Sequence, residues 1–133
     1  MTVQFSLGSN APESTATPVA VVGVYENGVL TSAAARIDTA ASGAIKRLVE
    51  AGDITGKVGN LVTLLHPAGV AAARVLVVGL GAQKTFDSAR YQRVTLEAAR
   101  AVGRLPVTEA VNWLPEVEVP GRDAAWRLRV AAL

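Results

Sequence analysis

Apolar positions along the chain switch period several times between two and 3.6, and the switches predict an alternation of strands and helices. Residues 3–7 alternate and predict a short first strand. A polar loop over residues 9–17 leads to the run Val19-Ala20-Val21-Val22-Gly23-Val24, whose β-branched density predicts a strand buried on both faces. Glu26-Asn27-Gly28 predicts a turn. Residues 31–51 predict one helix, because Ile37, Ala41, Ile45, Leu48 and Val49 share a face and leave Lys46, Arg47 and Glu50 outside. Gly52 supplies its stop.

Residues 61–65 and 75–78 predict two further buried strands, parted by a loop with Pro67 and Gly69. Residues 88–104 predict a second long helix, with Asp87 as N-cap. A strand over residues 109–114 follows, then an extended piece between Pro115 and Pro120. From Asp123 to Leu133 the residues are helix formers, with Trp126, Val130 and Leu133 on one face. No Gly, Asn or Pro stop follows, which predicts a helix running on into a longer protein. Strands alternating with helices predict an α/β fold, a mixed and mainly parallel sheet between helices.

At 133 residues the chain has the size of one domain. Half the residues are hydrophobic, which sets it apart from disordered chains. It has no Cys, which removes disulfides and thiolate metal sites and fits a cytoplasmic protein. No Lys or Arg precedes Arg36 and no long apolar run opens the chain, so no signal peptide is expected. The longest strongly apolar segment, residues 19–24, falls far short of the about 20 residues that a membrane span needs. A net charge of +2 demands neither nucleic acid nor an anionic membrane.

Candidate chemistry is sparse. His66 closes a strand before Pro67, but no second His and no Cys exists to share a metal with it, so the plainer reading is a polar strand end. Gly79-Leu80-Gly81 leaves a buried strand where a phosphate loop would begin, yet Lys84 stands where the dinucleotide fingerprint needs its third glycine. A plain strand-exit turn is expected there. Glu116 and Glu118 lie two apart on an extended segment, so they should point to one side and form a solvated edge. No catalytic, metal-binding or cofactor-binding residue is predicted.

Arg90, Arg93, Arg100 and Arg104 fall within an arc of about 80° on the second long helix. Glu97 lies in the same stripe, within reach of Arg93 or Arg100. Such a ridge can follow a phosphate backbone and marks these four as candidate DNA contacts. The alternative is an ordinary solvated face.

Several segments together resemble the N-terminal domain of the leucyl (cytosol) aminopeptidase family. They are Gly52-Asp53-Ile54-Thr55-Gly56-Lys57-Val58-Gly59 with the strand that ends at His66, then Arg74-Val75-Leu76-Val77-Val78-Gly79-Leu80-Gly81. Val119-Pro120-Gly121-Arg122 completes the set, with Trp126 and Arg129 behind it. The resemblance implies a macro-domain-like sheet over residues 1–120 and, over residues 121–133, the start of a linker helix to a C-terminal catalytic domain. It implies a cytoplasmic, generally hexameric parent that removes N-terminal residues, preferentially leucine, from peptides with two divalent metals, zinc or manganese. The metal-binding signature NTDAEGR has no counterpart in this chain, so no family catalytic residue carries over to it. DNA contact and ADP-ribose binding are the further functions that the resemblance admits.

Overall fold

In the computed structural model, which describes residues 3–8 and 10–131, the alternation of periods resolves into one sheet with helices on both faces. The strands are β1 (Gln4–Leu7), β2 (Ala20–Tyr25), β3 (Val29–Leu30), β4 (Leu61–Leu65), β5 (Arg74–Gly81) and β6 (Glu109–Asn112). The spatial order is β1-β6-β2-β5-β4, with β3 hairpinned onto β2 off that path. The β1–β6, β6–β2 and β2–β5 pairs are parallel, and β4 runs antiparallel to β5.

All six residues of β2 are buried, as its β-branched run predicts. The reason is its central place. Val19, just before this strand, and Val21 within it face one core with Leu76 and Val78, while Ala20, Val22 and Val24 face the other with Val75 and Val77. Side chains that alternate between two covered faces must all be apolar. The first core is closed by α3 (Ser88–Gly103) through Tyr91, Val94, Ala98 and Val102. Helix α4 (Ala124–Ala131) lies beside α3. The second core is closed by α1 (Ser32–Ala40) and α2 (Ala44–Glu50) through Ala33, Ala34, Ile37 and Ile45.

Three expectations change. The single helix predicted over residues 31–51 is two, because Ser42 (φ 56°) and Gly43 (φ 84°) turn left-handed between them. The break is held by Asp38, 3% exposed, whose Oδ1 accepts the Ile45 and Lys46 N–H groups at 2.8 and 2.9 Å. A carboxylate on the free donors of a helix N-terminus suits both hydrogen bonding and the helix dipole. Strand β4 is half-buried rather than buried, since it forms an edge of the sheet. β6 stops at Asn112, whose Oδ1 accepts the Leu114 N–H at 2.9 Å, and a 3-10 turn (Leu114–Glu116) follows.

Trp126 lies in the first turn of α4. It is half-buried and leans on Tyr91 of α3, ring centroids 5.5 Å apart, with the Arg122 guanidinium 4.8 Å over it. Trp126 and Val130 thus pack against the first core, which β2, β5 and α3 share. Asp123 Oδ1 accepts the Trp126 N–H at 2.9 Å and caps α4. The remainder of the predicted apolar face, at Leu133, lies outside the described residues, as does Ser9 of the predicted loop.

Candidate functional site

Open α/β sheets take ligands in the crevice beyond the carboxyl ends of their parallel strands. Here that crevice holds about 250 Å³ and is lined by Tyr25 from the end of β2, by Thr31 and Ser32 at the start of α1, and by Gln83, Glu116 and Val117. The N-terminus of α1 opens on it, and its free N–H groups would suit an anion. Two of them are already taken. Glu116 Oε1 accepts the Ala33 N–H at 2.8 Å, and Thr31 Oγ1 accepts the Ala34 N–H at 3.3 Å. The chain thus places its own carboxylate where a phosphate oxygen would sit. Burial first, and then the negative charge of Glu116, push the Tyr25 hydroxyl above the usual tyrosine range.

Glu116 and Glu118 are both exposed and both line this crevice, on one side as their spacing predicts, but only Glu116 is bonded to another element. Glu116 ends the 3-10 turn and reaches back to α1, while Glu118 lies on the segment beyond. No local signal marks Glu116 as a cap, because its partner lies 83 residues away.

Gly79 and Gly81 face backbone. The Gly79 N–H donates to Asn60 O at 2.9 Å and the Gly81 N–H to Gly56 O at 2.7 Å. A Cβ at Gly79 would run into the carbonyl of Lys57. The strand is packed on the turn before β4, at residues 56–60. Its glycines serve a close backbone approach. Lys84 sits exposed in a 3-10 turn (Gln83–Thr85). His66 is exposed at the end of β4 with φ 48°. Among the described residues no three of His, Asp and Glu converge as metal ligands would.

The four arginines of α3 part company. Arg90 folds back onto the loop before the helix, donating to Ala82 O at 2.8 Å and Thr85 Oγ1 at 2.9 Å. Arg93 pairs with Glu97 at 3.3 Å. Arg100 and Arg104 are exposed, and their side chains make no hydrogen bond or ion pair among the described residues.

Helix α4 is the other distinctive surface. The Tyr91 hydroxyl donates to Arg127 O at 2.8 Å, and Arg127 Nε donates to Pro115 O at 2.8 Å, so α4 is tied to both α3 and the 3-10 turn. Burial pushes the Tyr91 hydroxyl up to about 12, against the smaller opposing pull of the Arg127 charge.

Residues 21–133 match the model of the "Cytosol aminopeptidase family, N-terminal domain". The chain is 43% identical over 132 residues to a "Probable cytosol aminopeptidase" of Xanthomonas oryzae pv. oryzae (strain MAFF 311018), aligning 98% of this chain with 27% of that protein. It spans about a quarter of the length of the curated relatives it matches. Two solved structures share the fold. A tomato leucine aminopeptidase mutant (K354E) superposes with a TM-score of 0.68 at 21% identity, over 97% of this chain and 26% of that one. The macrodomain of Mycobacterium tuberculosis DarG superposes with a TM-score of 0.66 at 14% identity, over 97% of this chain and 90% of that one. The macro-like sheet expected from the sequence is present.

Proposed function

The chain belongs to the cytosol aminopeptidase family, as its N-terminal domain, and from that premise we propose that it is the non-catalytic part of a longer leucyl aminopeptidase. The observation that carries this reading is the match to the N-terminal domain over residues 21–133, beside relatives nearly four times as long. The longer protein is a cytoplasmic exopeptidase that removes N-terminal residues, preferentially leucine. Two divalent metals, zinc or manganese, activate the attacking water in its C-terminal domain. This chain's own residues do not fit those metals. Asp38, a buried carboxylate, is spent on two backbone N–H groups, and no ligand cluster exists among the described residues. No step of hydrolysis is assigned to it.

Residues 1–120 form the accessory domain and residues 121–133 begin the connection to the catalytic one. The domain shapes access to the active site or supports a homohexamer whose core the catalytic domains build. No membrane partner is proposed; among the described residues no helix is long and apolar enough to cross a bilayer.

The test is hydrolysis of leucine amide with added zinc or manganese. The chain alone should give none, and the chain joined to the catalytic part of the Xanthomonas oryzae relative should turn over. Metal-dependent turnover by the chain alone, surviving repurification and lost in His66→Ala, would overturn the reading.

A second reading, contact with DNA, draws on the exposed Arg100 and Arg104. Arg90 and Arg93 are engaged within the protein and add little to it. Binding of ADP-ribose, the third reading, is disfavoured by Glu116 on the α1 N-terminus.

A further inference from the structure

The crevice beyond the end of β2 carries two full negative charges, Glu116 and Glu118, both exposed and both on its wall. Against them stands the N-terminus of α1, whose dipole amounts to about half a positive charge. The negative side wins, so the crevice suits a cation. Among the described residues neither carboxylate is paired with a basic side chain. One Glu116 oxygen is held by the Ala33 N–H, which leaves its second oxygen and both of Glu118 able to accept. Tyr25 points to a ligand independently. It is 7% exposed, and its ring is fixed edge-on against Phe86 with centroids 5.7 Å apart. Its hydroxyl is near enough to Glu116 to feel that charge, yet it has no hydrogen-bond partner among the described residues. Nor is it sealed from solvent. A buried tyrosine hydroxyl usually finds a partner, and this one is left open to the crevice that it lines. Gln83 adds an amide oxygen, and Leu30 and Val117 make part of the lining apolar.

We infer that the crevice binds an alkylguanidinium, its carbon stem against Leu30 and Val117 and its N–H groups on Glu116, Glu118 and Tyr25. Three properties select this class. A hard metal ion takes six or more oxygen ligands, usually several carboxylates, and among the described residues no three of His, Asp and Glu converge. At about 250 Å³ the crevice is smaller than the roughly 300–1,000 Å³ of sites for drug-sized ligands, so it takes a side chain and not a nucleotide. A lining part acidic and part apolar matches a long apolar stem with a charged head. A guanidinium offers more N–H donors than an ammonium, in a planar fork that fits a carboxylate. The guanidinium comes from an arginine side chain of a polypeptide or from free arginine, and the crevice reads the same head in both.

The test is an amide-resolved NMR titration of the 133-residue chain with N-acetylarginine amide, with free arginine, and with N-acetylcitrulline amide, which keeps the shape and loses the charge. The arginine compounds should give saturable shifts confined to residues 25, 30–33, 83 and 116–118. Citrulline should bind at least about tenfold more weakly. Glu118→Gln should also weaken arginine binding about tenfold, with the rest of the spectrum unchanged because Glu118 holds no other element. Tyr25→Phe keeps the ring on Phe86 and should weaken binding about threefold to tenfold. Tighter binding of N-acetylarginine amide than of free arginine assigns the guanidinium to a polypeptide, and the reverse assigns it to the free amino acid; both support the site. No saturation below about 10 mM, shifts spread over acidic residues elsewhere, or equal binding of citrulline would each overturn the proposal. So would full affinity in either variant. Calcium producing the same shifts at lower concentration would overturn it too, by assigning the crevice to a metal ion.

Discussion

Glu116 and Ala33 are 83 residues apart, yet one carboxylate oxygen accepts the Ala33 N–H at 2.8 Å. With Thr31 on the Ala34 N–H, the start of α1 is satisfied from two directions. Glu116→Ala should cost about 1 kcal/mol in urea unfolding, the usual size of a lost helix cap, and Glu116→Gln less. A neutral result for Glu116→Ala would mean that solvent replaces the carboxylate freely. Because that carboxylate repels other anions, calorimetry with ADP-ribose should give no binding tighter than millimolar in the unaltered chain. Glycines separate just as sharply by environment. A methyl added at Gly103, in the last turn of α3, would meet nothing within 4 Å, so Gly103→Ala should stabilise by roughly 0.5–1 kcal/mol. At Gly79 the added methyl meets the Lys57 carbonyl, and Gly79→Ala should destabilise by about 1–3 kcal/mol or more. Equal effects at the two sites would contradict the packing of β5 on residues 56–60.

Helix α4 has eight residues, too few to be stable alone in water, so its order comes from what it touches. Tyr91 is its main anchor, through the ring against Trp126 and the hydroxyl on Arg127 O. In the folded chain Tyr91 ionises at about 12, above its ordinary value of 10. The fold favours the neutral phenol, so this stabilisation is whole below pH 10 and is lost as pH rises towards 12. Urea unfolding across that window should show stability falling. Tyr91→Phe should start about 1 kcal/mol lower at neutral pH, for the lost hydrogen bond, and fall less steeply above pH 10. Parallel curves would mean that Tyr91 is not the group that titrates. The helices differ in how readable they are. The Asp87 cap of α3 accepts the Arg90 N–H as its local pattern predicts. The break between α1 and α2 was legible in Ser42-Gly43, a dipeptide that commonly marks a turn, but the apolar period continued through it and outweighed it.

Across the whole molecule, a net charge of +2 gives little long-range attraction for nucleic acid, and the basic ridge is smaller in space than in sequence. With Arg90 and Arg93 engaged, two exposed arginines remain to release counterions. If the chain binds duplex DNA, log affinity should fall with log salt at a slope of about −2, and Arg100→Ala with Arg104→Ala should remove most of it. A slope near −4 would bring Arg90 and Arg93 back into the contact.

The sequence by itself determined the class and the lineage. A doubly buried strand, two-faced alternation and helix caps are patterns among near neighbours, and the order of glycine turns and β-branched strands from Gly52 to Gly81 carries the family resemblance. Only the tertiary structure decided the rest. Whether β4 sits at an edge, which ring Trp126 leans on, and which helix start Glu116 reaches all depend on residues distant in the chain. A local pattern states which side chains seek burial or a partner; it does not state which partner the folded backbone brings within 3 Å.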